Sequence, residues 1–136
     1  MIRRPRFGAD EGTTMGATAF QRTGVVFLLV GLCLGMHMGM THDFSMTPVH
    51  THFNLAGGVL MFVAGLFYAQ RPEIPRWAVT LHYWLHLVGA ILLVAGIYGA
   101  VTQAPWYEPV VGAGSVGVFA AMLLFAWNVF RKHGAM

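Results

Sequence analysis

The recognisable chemistry of this chain lies in its seven histidines, and all but His133 sit in or beside apolar runs. Two of them, His50 and His52, fall in the segment Thr47-Pro48-Val49-His50-Thr51-His52-Phe53-Asn54, at the mouth of such a run. Ionisable side chains are costly in lipid and usually mark a functional site there. Imidazole is a ligand for haem iron and for copper. A helix turns about 100° per residue, so positions two apart diverge by about 200°. His50 and His52 then face opposite sides of one helix, which offers a ligand to each of two neighbouring sites. The plain alternative is a pair of histidines hydrogen-bonded at the membrane interface.

A second group is Gly35-Met36-His37-Met38-Gly39-Met40-Thr41-His42-Asp43, followed by Met46. Thioether and imidazole together suit copper, and His37, Met38, Met40 and His42 are its candidate ligands. Methionine is also the commonest filler of gaps between helices. A third group is Leu81-His82-Tyr83-Trp84-Leu85-His86. His82 and His86 are four apart and share a helix face. His86 lies roughly 15 Å into its span at 1.5 Å rise per residue, near the midplane. Haem, a quinone or proton traffic could use it, and a polar anchor between helices is the alternative. His133, beside Arg131 and Lys132, reads as solvated. The sequence lacks the haem-attachment pattern C-x-x-C-H, a phosphate loop, a nucleophile–base set and a zinc-type cysteine cluster. Any haem is therefore held noncovalently, as haem b.

The elements that position these residues are membrane spans. Of the chain, 57% is hydrophobic and only 10% charged, against about 25% charged in a soluble domain. Four apolar stretches run from about Gly24 to Met40, Thr47 to Ala69, Pro75 to Val101 and Pro109 to Phe130. Each approaches the roughly 20 residues needed to cross a bilayer. The expected fold is an all-α, integral-membrane four-helix bundle over residues 22–136. A polar segment, 1–21, precedes it and is expected to be mobile. Thr47-Pro48 reads as an N-cap with proline at the first helical position, and Pro75 and Pro109 could open their helices likewise. Small residues, Gly31, Gly35 and Gly39 in the first span, Gly57, Gly58 and Gly65 in the second, and Gly112, Gly114 and Gly117 in the fourth, allow close helix approach or make room for a flat macrocycle. Arg3 and Arg4 are followed by polar residues rather than an apolar core, which excludes a twin-arginine signal. The lone Cys33 permits no intrachain disulfide.

Charge orients the spans. Arg3, Arg4, Arg6 and Arg22 precede the first, Arg71 and Arg76 lie between the second and third, and Arg131 and Lys132 follow the fourth. With four crossings all eight basic residues share one face, whereas Asp43 and Glu108 share the other. By the positive-inside rule both termini are cytoplasmic. Trp106 and Tyr107 mark the outer interface, and Trp77 and Trp127 the inner one. Basic residues flanking spans set topology, so the net charge of +3 gives no argument for nucleic acid.

The stretch His50-Thr51-His52-Phe53-Asn54-Leu55-Ala56-Gly57-Gly58, continuing through Met61 and Gly65 to Tyr68, resembles the haem-binding helices of subunit I of the haem–copper oxidases and nitric oxide reductases. In that family an H-x-H at the outer end of a helix places one histidine on each of two haems. A His-Thr-Asn-like helix start supplies the opposite ligand of the low-spin haem. His50 and His52 match the first pattern, and His50-Thr51 also matches the second. The family's catalytic subunit arranges its spans with pseudo-threefold symmetry, four to an arc, and this chain has the length of one arc. Its copper-site histidines and cross-linked tyrosine have no clear counterpart here. A single arc could rebuild the ring as a homotrimer.

The resulting expectation is a multi-pass protein of the cytoplasmic membrane, surrounded by lipid. It binds haem b through His50 and His52, with His86 and His37 as reserve ligands, and serves electron transfer or redox or gas sensing. If it is an enzyme, the class is oxidoreductase. The alternatives are copper handling through the Met/His stretch and a non-catalytic subunit of a respiratory complex.

Overall fold

The computed structural model describes residues 11–131. Expectations that involve Arg3, Arg4, Arg6, Lys132 and His133 lie outside the described residues. Four helices are long and apolar enough to cross a membrane: Met15–Thr41, Thr47–Ala69, Arg76–Val101 and Tyr107–Phe130. No strand occurs among the described residues. The elements are α1 (Glu11–Thr41), α2 (Thr47–His52), a π-helical segment (Phe53–Val59), α3 (Leu60–Ala69), α4 (Arg76–Val101) and α5 (Tyr107–Phe130). Short turns join antiparallel neighbours, so the 42–46 and 102–106 turns share one end of the bundle and the 70–75 turn lies at the other. We call these the acidic and basic ends, after Asp43 and Glu108 and after Arg71 and Arg76.

Helix α1 starts at Glu11, well before the expected boundary at Gly24. The reason is a buried seam. Ala17, Phe20, Gly24, Phe27, Gly31 and Met38 are all buried, at alternating three- and four-residue steps broken only between Gly31 and Met38. This is the spacing that keeps one stripe of a helix against its neighbour. The seam packs on the second span, antiparallel, and Ala17 and Phe20 extend it into residues whose polar composition reads as mobile in the sequence. A Cβ on Gly57 would overlap the Phe27 ring, so that glycine permits the close approach of α1 to the second span.

Thr47 does not cap α2. Met46 is the N-cap, and the Thr47 hydroxyl donates to the Phe44 carbonyl at 2.6 Å. Pro75, extended at φ −63° and ψ 138°, is the N-cap of α4. Helices α4 and α5 pack backbone to backbone, with Gly89 against Gly117 and Gly96 against Val111. Two turns close with left-handed residues that are not glycine, His42 (φ 56°) after α1 and Gln103 (φ 59°) after α4. The Ala104 N–H reaches back to the Gly99 carbonyl at 2.8 Å, the six-to-one bond of a Schellman ending. His42 thus ends a helix, a conformation histidine tolerates better than most side chains.

Candidate functional site

Two histidine pairs lie at different depths in the bundle. The pair nearer the acidic end is His50 and His52. The His50 ring is half-buried between α2 and α1, and its Nδ1–H donates to the Gly31 carbonyl at 2.7 Å. The glycine repeat of α1 makes the slot. A Cβ at Gly35 would come within 2.8 Å of the His50 ring, and one at Gly31 within 2.5 Å of the Asn54 amide oxygen. Gly39 faces open space. The repeat therefore makes room for this chain's own imidazole and carboxamide, and no macrocycle enters between α1 and α2 of one chain.

Asn54 is the second part of this slot. It lies in the π-helical segment, where the Leu60 N–H bonds to the carbonyl of Leu55, five residues back. The segment follows directly from the H-x-H and contains Gly57-Gly58, whose lack of side chains lets the helix widen. The Asn54 amide donates to the His50 carbonyl at 2.9 Å, and its nitrogen lies 3.2 Å from Nδ1 and 3.4 Å from Nε2 of the same ring. His52 points elsewhere, as the H-x-H spacing requires. Its Nδ1–H donates to the Pro48 carbonyl at 2.8 Å within the same helix. Both rings thus engage Nδ1 with a backbone carbonyl. In a neutral ring that contact puts the hydrogen on Nδ1 and leaves the lone pair on Nε2, the nitrogen through which imidazole would bind a metal.

The second pair, His82 and His86, is fully buried, and so are Tyr68 and Asn128. They form one row across three spans. The Asn128 amide donates to the Tyr68 hydroxyl oxygen at 3.1 Å, and that hydroxyl lies 2.8 Å from His82 Nδ1. His82 Nε2 lies 3.4 Å from His86 Nδ1, and His86 Nε2 lies 2.8 Å from the Ala56 carbonyl oxygen. The ends fix the direction. A carbonyl only accepts, so His86 donates through Nε2 and accepts at Nδ1. His82 then donates through Nε2 and accepts at Nδ1 from the Tyr68 hydroxyl, which takes the Asn128 N–H on its oxygen. Both rings are neutral, with the proton on Nε2. Protonating His86 would reverse two links and leave the Tyr68 hydroxyl hydrogen without an acceptor.

Rings seal the row. Phe20 stands 4.8 Å from His82 and 5.5 Å from Tyr68, and Phe125 stands 5.4 Å from His82. His86 belongs to this closed row and not to the slot at the acidic end, and both of its nitrogens have partners.

Among the residues expected to hold copper, Met38 parts from the rest. Met38 is buried at 5% exposure and Met40 is 75% exposed, because two-residue spacing sends them to opposite sides of α1. His37 and His42 are exposed. Among the described residues no group of three or more His, Cys, Asp or Glu side chains could hold a metal ion. Asp43, in the turn after α1, accepts from the Ser45 N–H at 3.0 Å. That bond, a hydrogen bond from the Ser45 side chain and the nearby His37 hold its carboxyl below the ordinary value. An apolar groove of about 460 Å³ opens beside α2, lined by Phe27, Val49, Phe53, Val94, Tyr98 and Trp106 among others. Neither His50 nor His52 lines it.

Tyr68, Asn128 and the Ala56 carbonyl carry no metal-ligand or catalytic pattern in the sequence. The nearest sequence signals are an asparagine in the last turn of an apolar span and the Gly-Gly pair beside Ala56. No family model, curated protein or solved structure matches the chain.

Proposed function

We propose that this chain is a multi-pass protein of the cytoplasmic membrane, with both termini on the cytoplasmic side, that binds haem b at its acidic end. Its role is electron transfer or redox or gas sensing. His50 and His52 would hold haem, each offered to a different one. The observation that carries the reading is the shared arrangement of the two rings, each with Nδ1 on a backbone carbonyl, which leaves Nε2 as the nitrogen to offer a metal. The resemblance of the His50–Gly58 stretch to oxidase subunit I supports it.

The slot between α1 and α2 is filled by His50 and Asn54, and no histidine lines the apolar groove. The macrocycle must therefore meet each imidazole from outside the chain. With the rings pointing to opposite sides of α2, a closed ring of identical chains brings His50 of one chain and His52 of the next to each boundary. A homotrimer matches the pseudo-threefold order of the resembled family. Bound there, haem supplies reversible one-electron chemistry. The chain supplies ring orientation through Gly31 and Pro48, a packed support under His50 through Gly35, and exclusion of water by the surrounding apolar spans.

The test is the haem-to-protein ratio, oligomer mass and reduced-minus-oxidised spectrum of wild type, His50→Ala and His52→Ala. One haem per chain is expected, with each variant losing one axial ligand from every haem and its six-coordinate spectrum. A haem-free wild type, or a six-coordinate spectrum kept in both variants, would overturn the proposal. Copper loading is the control: it should not depend on Met38 and Met40 if these residues only pack.

A further inference from the structure

The buried row has a property that neither a structural anchor nor a proton channel requires. It is closed to protons at both ends and open to proton movement inside. Its end groups, the Asn128 amide and the Ala56 carbonyl, do not exchange protons in ordinary acid–base chemistry. All its side chains are buried to 1% exposure or less, and the basic ring nitrogen of each histidine already receives a hydrogen bond from within the row. Between the ends, however, the phenol of Tyr68 is aimed at an imidazole nitrogen at 2.8 Å, and that imidazole is aimed at a second one.

The other tyrosines of the chain lack this arrangement. Tyr83 meets the hydroxyl of Thr23 at 2.8 Å, a poor base. Tyr107 stands 3.5 Å from the exposed carboxylate of Glu108, and Tyr98 lines the open groove. Tyr68 alone has a buried nitrogen base in hydrogen-bond contact, a second base behind it and a ring cage that excludes water.

We propose that Tyr68 is a redox-active tyrosine, and that His82 and His86 are positioning residues that hold its proton while it is oxidised. The co-reactant is a one-electron oxidant of high potential, of the class of oxidised metal complexes, acting from the basic end. Tyr68 gives up one electron to it, through the half-buried rings of Phe67 and Phe125, which lie 5.5 and 6.1 Å from the tyrosine ring. The phenol O–H bond breaks as a bond forms between that proton and His82 Nδ1. The proton on His82 Nε2 passes to His86 Nδ1. His86 then holds the single positive charge, with its Nε2–H still on the Ala56 carbonyl, and Tyr68 is a neutral radical that keeps the Asn128 hydrogen bond. Return of one electron reverses both shifts. No proton leaves the row, which is why closed ends suit this role and defeat a through-membrane channel. The inference stands apart from haem binding at the acidic end.

The test uses the full chain in lipid nanodiscs, oxidised by photogenerated ruthenium(III) tris-bipyridine and read by electron paramagnetic resonance. A neutral tyrosyl radical is expected in wild type and in Tyr83→Phe, and its yield should fall at least tenfold in Tyr68→Phe. Protein carrying ¹⁵N-labelled histidine should show coupling between the radical and an imidazole nitrogen, a readout on wild type that needs no altered fold. His82→Leu should shorten the radical lifetime at least tenfold where the variant folds. A wild type without a tyrosyl radical, a radical unchanged in Tyr68→Phe, or one without imidazole coupling would overturn the proposal.

Discussion

The two histidine pairs of this chain differ in what their second nitrogen does. At the acidic end, His50 and His52 each give Nδ1 to a backbone carbonyl and are only partly buried. In the core, His82 and His86 are fully buried and use both nitrogens within the row. One residue type thus serves two ends, set apart by burial and by the partners of the ring nitrogens. His52, with only Nδ1 tied, is shaped to take a ligand from outside, and His50 can do so once the Asn54 amide, 3.4 Å from its Nε2, gives way. A histidine with both tied is shaped to hold its neighbours, and exchanges protons only with them.

The largest effect expected from breaking this contrast is on stability. His82→Leu removes the acceptor of the Tyr68 hydroxyl and the donor to His86, leaving two buried polar groups unpaired. Each orphaned group costs about 1–3 kcal/mol, so the loss should be about 2–6 kcal/mol. His52→Ala removes one partly exposed bond within a helix and should cost under about 1 kcal/mol. Thermal or denaturant unfolding in a mild detergent measures both. Equal losses in the two variants would erase the distinction between the pairs.

Much of this molecule is legible in its sequence, and the remainder is hidden for identifiable reasons. The second, third and fourth spans appear within two residues of their expected limits, because continuous apolarity and flanking charge are local signals. The N-terminal reach of α1 was hidden because Ala17 and Phe20 stand among glycine, threonine and glutamine, and only their register with Gly24 and Phe27 reveals a seam. The separation of His50 from His52 follows from helix period alone. The row does not, because Asn128 and Tyr68 are 60 residues apart and the terminal acceptor at Ala56 is a carbonyl that every residue possesses. The π-helical segment is likewise a response to packing, marked in the sequence only by two adjacent glycines.

A smaller effect should separate glycines that look alike in the sequence. Gly35→Ala puts a methyl group 2.8 Å from the His50 ring. The ring must move off Gly31, at about 1–3 kcal/mol for an overpacked site. Gly39→Ala, four residues on, meets nothing and should raise stability by about 0.5–1 kcal/mol through helix propensity. Unfolding of the two variants, with the His50 Nδ1–H signal followed by nuclear magnetic resonance, checks the pair. An undisturbed His50 signal in Gly35→Ala would show that the slot is looser than it looks.

The smallest effect lies in the turn between the first two spans, and it sharpens the contrast because it responds to pH where the row should not. The Asp43 carboxylate is held below its ordinary value of 3.8 first by the Ser45 N–H, then by a hydrogen bond from the Ser45 side chain, and least by His37. A depressed carboxyl contributes to the turn above its unfolded value and loses that contribution as pH falls through its folded value. The Ser45 amide proton resonance should therefore shift in acid with a midpoint below 3.8. Asp43→Asn should abolish the shift, and His37→Gln should move the midpoint upward only slightly, since its charge is the weakest of the three lowering influences. The resonances of Tyr68 and His82 should stay fixed across the same range, because the row has no free site for a proton. A Ser45 midpoint at or above the ordinary carboxyl value would remove the Asp43–Ser45 bond from the turn. Movement of the Tyr68 and His82 resonances with it would show that the row is open to protons from solvent, against the closed ends on which its chemistry depends.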